Sequence, residues 1–350
     1  MNSKYKKYRL KKGDTLSGVA SILGKPVQEI KNFHNIFCEH EEVIVFDFPE
    51  TLQELFIYPQ YEDAKLYNIP RTPLDGSRLS LKPSEKSIDY GVMYTIHSGE
   101  EENTMKYEVR VSFLEKLEAS AYLYRIERLS KTFINDDEAN TIADELAEKA
   151  ASVLYPLDVV VDENGKWQQV YNHHVILSRW EKVKDVILDE FEGEWVDKYL
   201  MFTERTLENE IGLNSSLSKD WFLNAYFSGV YANYTNQLKY ESETLFNLLP
   251  STTALSYKTE HKIEQYLDED NLIAIEINGF LNDERCKADI EENNIMPYYS
   301  LLDPAEKKAE GKFRSKYFLN GSNKTIETLY VDCSIDLAVP KRVEIVVSVL

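Results

Sequence analysis

Cysteine, histidine and paired carboxylates are the side chains through which this chain would do covalent or acid–base chemistry, and their spacing decides how each is read. Cys333 lies in Val331-Asp-Cys-Ser334. A cysteine nucleophile needs a helix N-terminus and a histidine base to lower its thiol pKa. Cys333 instead falls midway along an alternating apolar segment and no histidine follows it, so a buried structural thiol is expected. His173 and His174 are adjacent, and neighbouring side chains on a helix point in different directions, whereas two helical metal ligands sit at i, i+4. His97 and His261 are isolated. Glu241/Glu243 and Asp268/Glu269/Asp270 have the residue type of glycosidase carboxylates, which act in opposed pairs, but with 60 acidic residues such pairs arise by chance. No Gly-rich phosphate loop and no Ser-centred nucleophile elbow occurs. No catalytic residue, no metal site and no cofactor is therefore expected. Tyr226, Tyr231, Tyr234 and Tyr240 have rings that could stack on sugar faces; packing between a sheet and helices is their expected role.

The most informative pattern lies near the N-terminus. Tyr8 and Leu10 stand in a short β-prone segment, and Gly13 suits a tight turn. Asp14 and Thr15 are types whose side-chain oxygens cap the first amides of a helix. Leu16, Val19, Ala20 and Leu23 then recur at i, i+3, i+4, i+7 and make one apolar face. Gly24 can end that helix and Pro26 start the next. Val27, Ile30 and Phe33 give the second helix its face, and Asn35 is expected to close it in a left-handed cap.

From residue 8 to residue 36 this pattern resembles the LysM module, a βααβ unit that binds N-acetylglucosamine-containing glycans such as peptidoglycan and chitin. The resemblance rests on the Tyr-x-Leu strand, Gly13-Asp-Thr-Leu16, the Val19-Ala20 pair, the Val/Ile/Phe face and the closing Asn35. It implies a shallow sugar groove with Gly13, Asp14, Thr15, Leu16 and Ser17 on one side and Asn35 and Ile36 on the other. The pattern departs from the family after Asn35. A longer acidic loop runs from Cys38 through Asp47 to Glu50 before the expected closing strand, Leu55 to Pro59. One wall of the groove matches and the other is rebuilt. LysM modules are often attached to wall hydrolases, and Asp332-Cys-Ser334 is similar to the triplet of papain-like peptidoglycan endopeptidases, yet it lacks the helix and histidine such an enzyme needs.

Three segments are expected: a βααβ module over 1–59, a linker or wrapping segment over 60–90, and a larger α+β domain over 91–350. The middle segment carries Pro70, Pro73, Asp75-Gly76 and Pro83, with Leu66, Tyr67, Ile69, Leu79 and Leu81 able to pack on a neighbour. Beyond Gly91, Met105 to Phe113 alternate as a half-buried strand and Tyr122 to Ile126 repeat the pattern. Asn135 and Glu138 are expected to form a capping box for a helix faced by Ile142, Leu146, Ala150 and Val153. Asn164-Gly165 between alternating runs signals a hairpin. Helical patterns fill the middle, from His174 to Ile187, Tyr199 to Ile211 and Trp221 to Tyr231. Alternation returns at Ile273 to Ile277 and in three further strands from Phe313 to Val349. Strands joined by hairpins with helices grouped between them indicate an antiparallel sheet.

Residues 1–59 contain eight basic and eight acidic side chains, so the net charge of −20 lies on the remainder. Such a body repels polyphosphate and anionic membranes, so neither nucleic acid nor membrane is expected as a partner. Glycan binding would rest on hydrogen bonds and apolar sugar faces. No apolar run approaches the ~20 residues that span a bilayer. Met1 leads into the first strand without a secretory signal, and Cys38, Cys286 and Cys333 have no ligand-like spacing, which together suggest a cytoplasmic protein with reduced thiols. Two functions fit. One is a non-catalytic protein binding peptidoglycan or a chitin-type glycan. The other is a structural component of a phage-tail-like contractile injection or secretion system, with the module as an adaptor to protein partners.

Overall fold

The apolar spacing of the N-terminal stretch produces the elements it implies. Strand β1 (Lys6–Arg9) pairs antiparallel with β2 (Glu54–Ile57), with Lys6 opposite Ile57, and helices α1 (Leu16–Leu23) and α2 (Val27–Phe37) lie between them. The computed structural model describes residues 5–11, 13–39, 42–49, 52–59, 70–117, 120–138, 141–249, 252–302 and 308–350. Thr15 is the N-cap of α1, its Oγ1 accepting the Gly18 N–H at 3.1 Å. Gly24 ends α1 at φ 65°, a left-handed conformation that glycine adopts without a Cβ penalty. Leu16, Val19, Ala20, Leu23 and Ile30 form the core with Ile44, Leu52, Leu55 and Ile57. Two expectations fail here. Val27 is 40% exposed and lies off the apolar face. Asn35 does not close α2, which runs on to Phe37 and ends at Cys38 with φ −82°.

The chain divides into two compact units, 1–70 and 71–350. The larger one therefore starts earlier than the alternation at Gly91 suggests. Thr72 donates through N–H and Oγ1 to the carbonyls of Gln265 and Glu264, and Leu79 is fully buried with its N–H on the Ala232 carbonyl. The stretch from 71 to 87 thus wraps on the larger unit. Leu66, Tyr67 and Ile69 lie outside the described residues.

The larger unit is α+β. Its strands are β3 (Ile88–Ser98), β4 (Glu101–Lys116), β5 (Tyr122–Arg128), β6 (Phe133–Ile134), β7 (Asp137–Glu138), β8 (Leu157–Val161), β9 (Trp167–Val170), β10 (Lys239–Phe246), β11 (Leu255–Ile263), β12 (Leu272–Leu281), β13 (Glu310–Asn320), β14 (Ile326–Asp336) and β15 (Lys341–Val349). Among the described residues these form one thirteen-stranded antiparallel sheet. Its order is β10-β11-β12-β13-β14-β15-β3-β4-β5-β8-β9, with the β6–β7 hairpin on β4. Helices α3 (Ile142–Ser152), α4 (His173–Glu190), α5 (Glu194–Glu208), α6 (Glu210–Leu217) and α7 (Trp221–Tyr226) fall together in the middle of the chain. Two short ones, α8 (Lys287–Glu291) and α9 (Tyr298–Leu302), interrupt the second half.

Successive strand residues point to opposite faces, and here the faces differ in kind. Tyr257, Ile275, Tyr317, Val331, Ile345, Val92, Val109 and Ile126 are buried in one core with Leu146, Ile176, Trp180, Leu200 and Phe222 of the helices. The opposite face carries cross-strand charge pairs such as Arg110–Asp89 and Arg342–Asp332, both 2.7 Å. The capping box before α3 is Thr141 with Asp144 rather than Asn135 with Glu138. Asn135 and Asp136, at φ 52° and 69°, are instead the two-residue turn between β6 and β7. Among the described residues, no helix is long and apolar enough to cross a membrane.

A core as small as that of the first unit has little stability to spare. Val19→Asp would place an unpaired carboxylate at a fully buried position. The variant is expected to lose the dispersed amide resonances of Leu16 to Asn35 while keeping those of the large sheet. Retained dispersion in the small unit would contradict this core.

Candidate functional site

Of the residues indicated by the module resemblance, Gly13 to Ser17 lie at the N-terminal end of α1, and Asn35 and Ile36 lie in the last turn of α2. Gly13 turns the chain at φ 94° with open space where a Cβ would stand. Asp14 accepts the Lys11 N–H through Oδ2 at 2.9 Å and donates its own N–H to the Lys11 carbonyl at 3.0 Å, which fixes the turn. Gly13, Thr15 and Ser17 are exposed, and the Thr15 and Ser17 hydroxyls lie 3.3 Å apart. Leu16 is 2% exposed and belongs to the core, so its side chain offers nothing to a ligand.

The opposite wall is built by the acidic loop, and three side chains hold it. Asn35 donates Nδ2–H to the Ile44 carbonyl and accepts the Ile44 N–H on Oδ1, both at 2.9 Å. This two-point grip is why Asn35 stays helical instead of capping α2. Lys31 Nζ donates to the Val45 carbonyl at 2.6 Å. Asp47 Oδ1 accepts the Leu16 N–H at 2.7 Å and the Phe48 N–H at 2.8 Å. The first amide of α1 is thus capped from 31 residues away, where the partial positive charge of a helix start favours a carboxylate. The latch joins the loop tip to the start of α1. At that tip Phe46 is 93% exposed and Val45 58%; Ile36, beside Asn35, is 70% exposed.

A buried histidine fixes the loop from beneath. His34 Nδ1 accepts the Phe56 N–H at 3.0 Å, so the proton sits on Nε2, which faces the Glu42 carbonyl at 3.1 Å. Burial lowers the His34 pKa and so favours the neutral ring. Asp47, Phe46 and Ile44 were not legible as site residues. The one signal was Val43 to Phe46, an apolar run inside an otherwise acidic loop, which marks a buried anchor.

Outside this unit, several of the other sequence candidates fall into structural roles. Cys333 is fully buried on β14, its Sγ 3.2 Å from the Tyr257 hydroxyl, and burial pushes its thiol pKa up. His173 Nε2 lies 2.6 Å from the Leu207 carbonyl. Among the described residues, no group of three or more histidine, cysteine or carboxylate side chains is placed to hold a metal ion. Tyr231 and Tyr234 are buried and donate their hydroxyls to the carbonyls of Lys324 and Val230; Tyr231 also lines, with Tyr226, a largely apolar cavity bounded by Leu81, Pro83, Phe113 and Tyr124. His261, 7% exposed, is surrounded by the hydroxyls of Tyr240 (3.0 Å), Ser242 (2.8 Å) and Thr259 (3.2 Å). Burial lowers its pKa from 6.5 to about 4. Compared with known proteins, the chain matches no family model and no curated sequence.

Replacing Asn35 with alanine leaves the buried N–H and C=O of Ile44 without partners. The small unit should lose about 1–3 kcal/mol against denaturant; an unchanged midpoint would show that the loop stands without the grip. His261 makes the larger unit sensitive to acid. Its folded pKa lies below its unfolded value, so the unfolded chain takes up the proton first as pH falls. Stability from this group is therefore complete above pH ~6.5 and declines toward pH ~4, by on the order of 3 kcal/mol. His261→Gln should flatten that part of the stability–pH curve of the larger unit; an unaltered slope would contradict it.

Proposed function

We propose that the N-terminal unit is a LysM-type module and that the protein is a non-catalytic binder of N-acetylglucosamine-type glycans such as peptidoglycan. The observation that carries this reading is the Asp47 latch. It ties the loop that carries Phe46, 93% exposed, to the start of α1, where Thr15 and Ser17 are exposed, so on this reading an aromatic platform and hydrogen-bonding groups form one edge. Sugars offer apolar ring faces to the first and hydroxyl or acetamido groups to the second. A wall already held by Asn35, Lys31 and Asp47 spends little ordering entropy on binding. The sequence-indicated set divides accordingly. On this reading Gly13, Asp14, Thr15, Ser17 and Ile36 are the residues left to meet a ligand, whereas Leu16 and the Asn35 amide are committed to the fold. One such site binds weakly, and linking modules raises avidity.

A second reading, an adaptor in a phage-tail-like contractile injection or secretion system, is favoured by the same tip. Ile36, Val45 and Phe46 expose aliphatic as well as aromatic surface, as a protein contact would use. The two readings part in a titration of the full chain. Chitin oligomers should shift the amides of Asp14 to Ser17 and of Ile36, Val45 and Phe46. The affinity should change little with salt, because a neutral ligand releases no counterions. Absence of shifts with millimolar chitin oligomers and with soluble peptidoglycan fragments would remove the glycan reading and leave the adaptor.

A further inference from the structure

An open sheet has two edges, and in the larger unit they are finished differently. Unpaired N–H and C=O groups along an edge are a template for another strand, and natural sheets usually cover or interrupt them. β9 is short, and its register with β8 shifts between Val160 and Val161. The Val170 N–H donates to Asn214 Oδ1 at 2.8 Å, the Trp167 N–H donates to the Phe227 carbonyl at 3.1 Å, and Lys166 bridges to Ser228. That edge is covered by the chain itself.

β10 has none of these devices. It pairs with β11 over eight residues without a register shift and contains no proline or glycine. The Leu238 carbonyl accepts the Ile263 N–H, and on the other side of β11 the Ser256 carbonyl accepts the Asn282 N–H. Hydrogen-bonded pairs alternate along an antiparallel ladder. Tyr240, Ser242, Thr244 and Phe246 therefore bond β11, while the main-chain groups of Glu241, Glu243 and Leu245 point off the edge. Among the described residues, no strand lies on that side. On the polar face, Glu241 and Glu243 are exposed and Leu245 is 62% exposed. Phe280, 69% exposed, stands two strands in, in the same cross-strand row as Glu243 and Lys258.

The geometry points to β10 as a docking edge for an extended segment of a partner protein that adds as a further strand. The segment carries basic side chains at alternate positions, beside Glu241 and Glu243, and an apolar one beside Leu245. Opposite charges across neighbouring strands stabilise a pair and like charges oppose it. Glu241 already reaches Lys258 at 3.1 Å, but both side chains are about two-thirds exposed and remain open to a second cation. A second copy of β10 fits worse, because the two-fold registers with most overlap set glutamate opposite glutamate. The net charge of −20 further favours a cationic partner in the encounter.

A fluorescent synthetic peptide alternating lysine with threonine and ending in leucine, titrated into the full chain, tests this edge. Binding should weaken by about tenfold or more when the peptide is N-methylated at alternate residues, which deletes the ladder hydrogen bonds but keeps the charge. Glu243→Pro should weaken it similarly, because it removes an outward N–H and no bond to β11. Glu241→Lys combined with Glu243→Lys should do the same through charge. If the proline variant fails to fold, the methylated peptide carries the test on the unaltered chain. No binding at low salt, or binding indifferent to N-methylation, overturns the proposal. So does self-association through β10 in sedimentation without peptide, which would assign the edge to a second copy.

Discussion

The larger unit depends on one seam. β3 and β15, from opposite ends of that unit, pair over nine residues from Tyr90–Val349 to Ser98–Lys341. Every other neighbour pair on the main path joins strands of one half, either β3 to β9 or β10 to β15. Closing a contact across so much chain costs loop entropy before it yields any bond, and the sheet and helix layer repay that cost together. The Tyr90 hydroxyl donates to the Ile326 carbonyl on β14 and lies 3.0 Å from that of Tyr226 on α7, while Tyr317 on β13 reaches the Ala225 carbonyl at 2.9 Å. Strands and helices from both halves thus share one core.

A sheet packed on one side only must keep its other side wet. The charged residues do this by pairing across strands. Arg314 and Lys316 share Glu276, and Arg342 bridges Asp332 and Glu344, which also accepts the Tyr330 hydroxyl at 2.6 Å. Such exposed pairs contribute little stability individually; their effect is to keep the solvent face of a wide sheet polar. Leu245 and Phe280, near the β10 edge, are where this rule lapses.

Period and turn chemistry made the architecture legible in the sequence. Alternation gave the antiparallel strands, Asn164-Gly165 gave the β8–β9 hairpin, and helical three- and four-residue spacing gave α1 and the face of α4. The misread Asn and Asp positions share one physical cause. Asn and Asp serve as caps, as left-handed turn residues and as long-range clamps, and local sequence does not distinguish these uses. Asn135 reads as a helix cap and is a hairpin turn. Asn35 reads as a C-cap and is a clamp on Ile44. Asp47 reads as loop charge and caps α1 from a distance. Site residues supplied by a long loop are set by tertiary bonds, so the turn wall of the candidate edge was legible and the wall carrying Phe46 was not.

The account of the small unit rests on that wall acting as a sugar platform. The most direct measurement is calorimetric titration of chitin oligomers into the full chain and its Phe46→Ala variant. A side chain already 93% exposed contributes almost nothing to the core, so folding should be unchanged. Measurable binding should fall by about three- to tenfold on loss of the ring, the range of an aromatic contact. Equal affinity of the two proteins, or no heat from either, would contradict it.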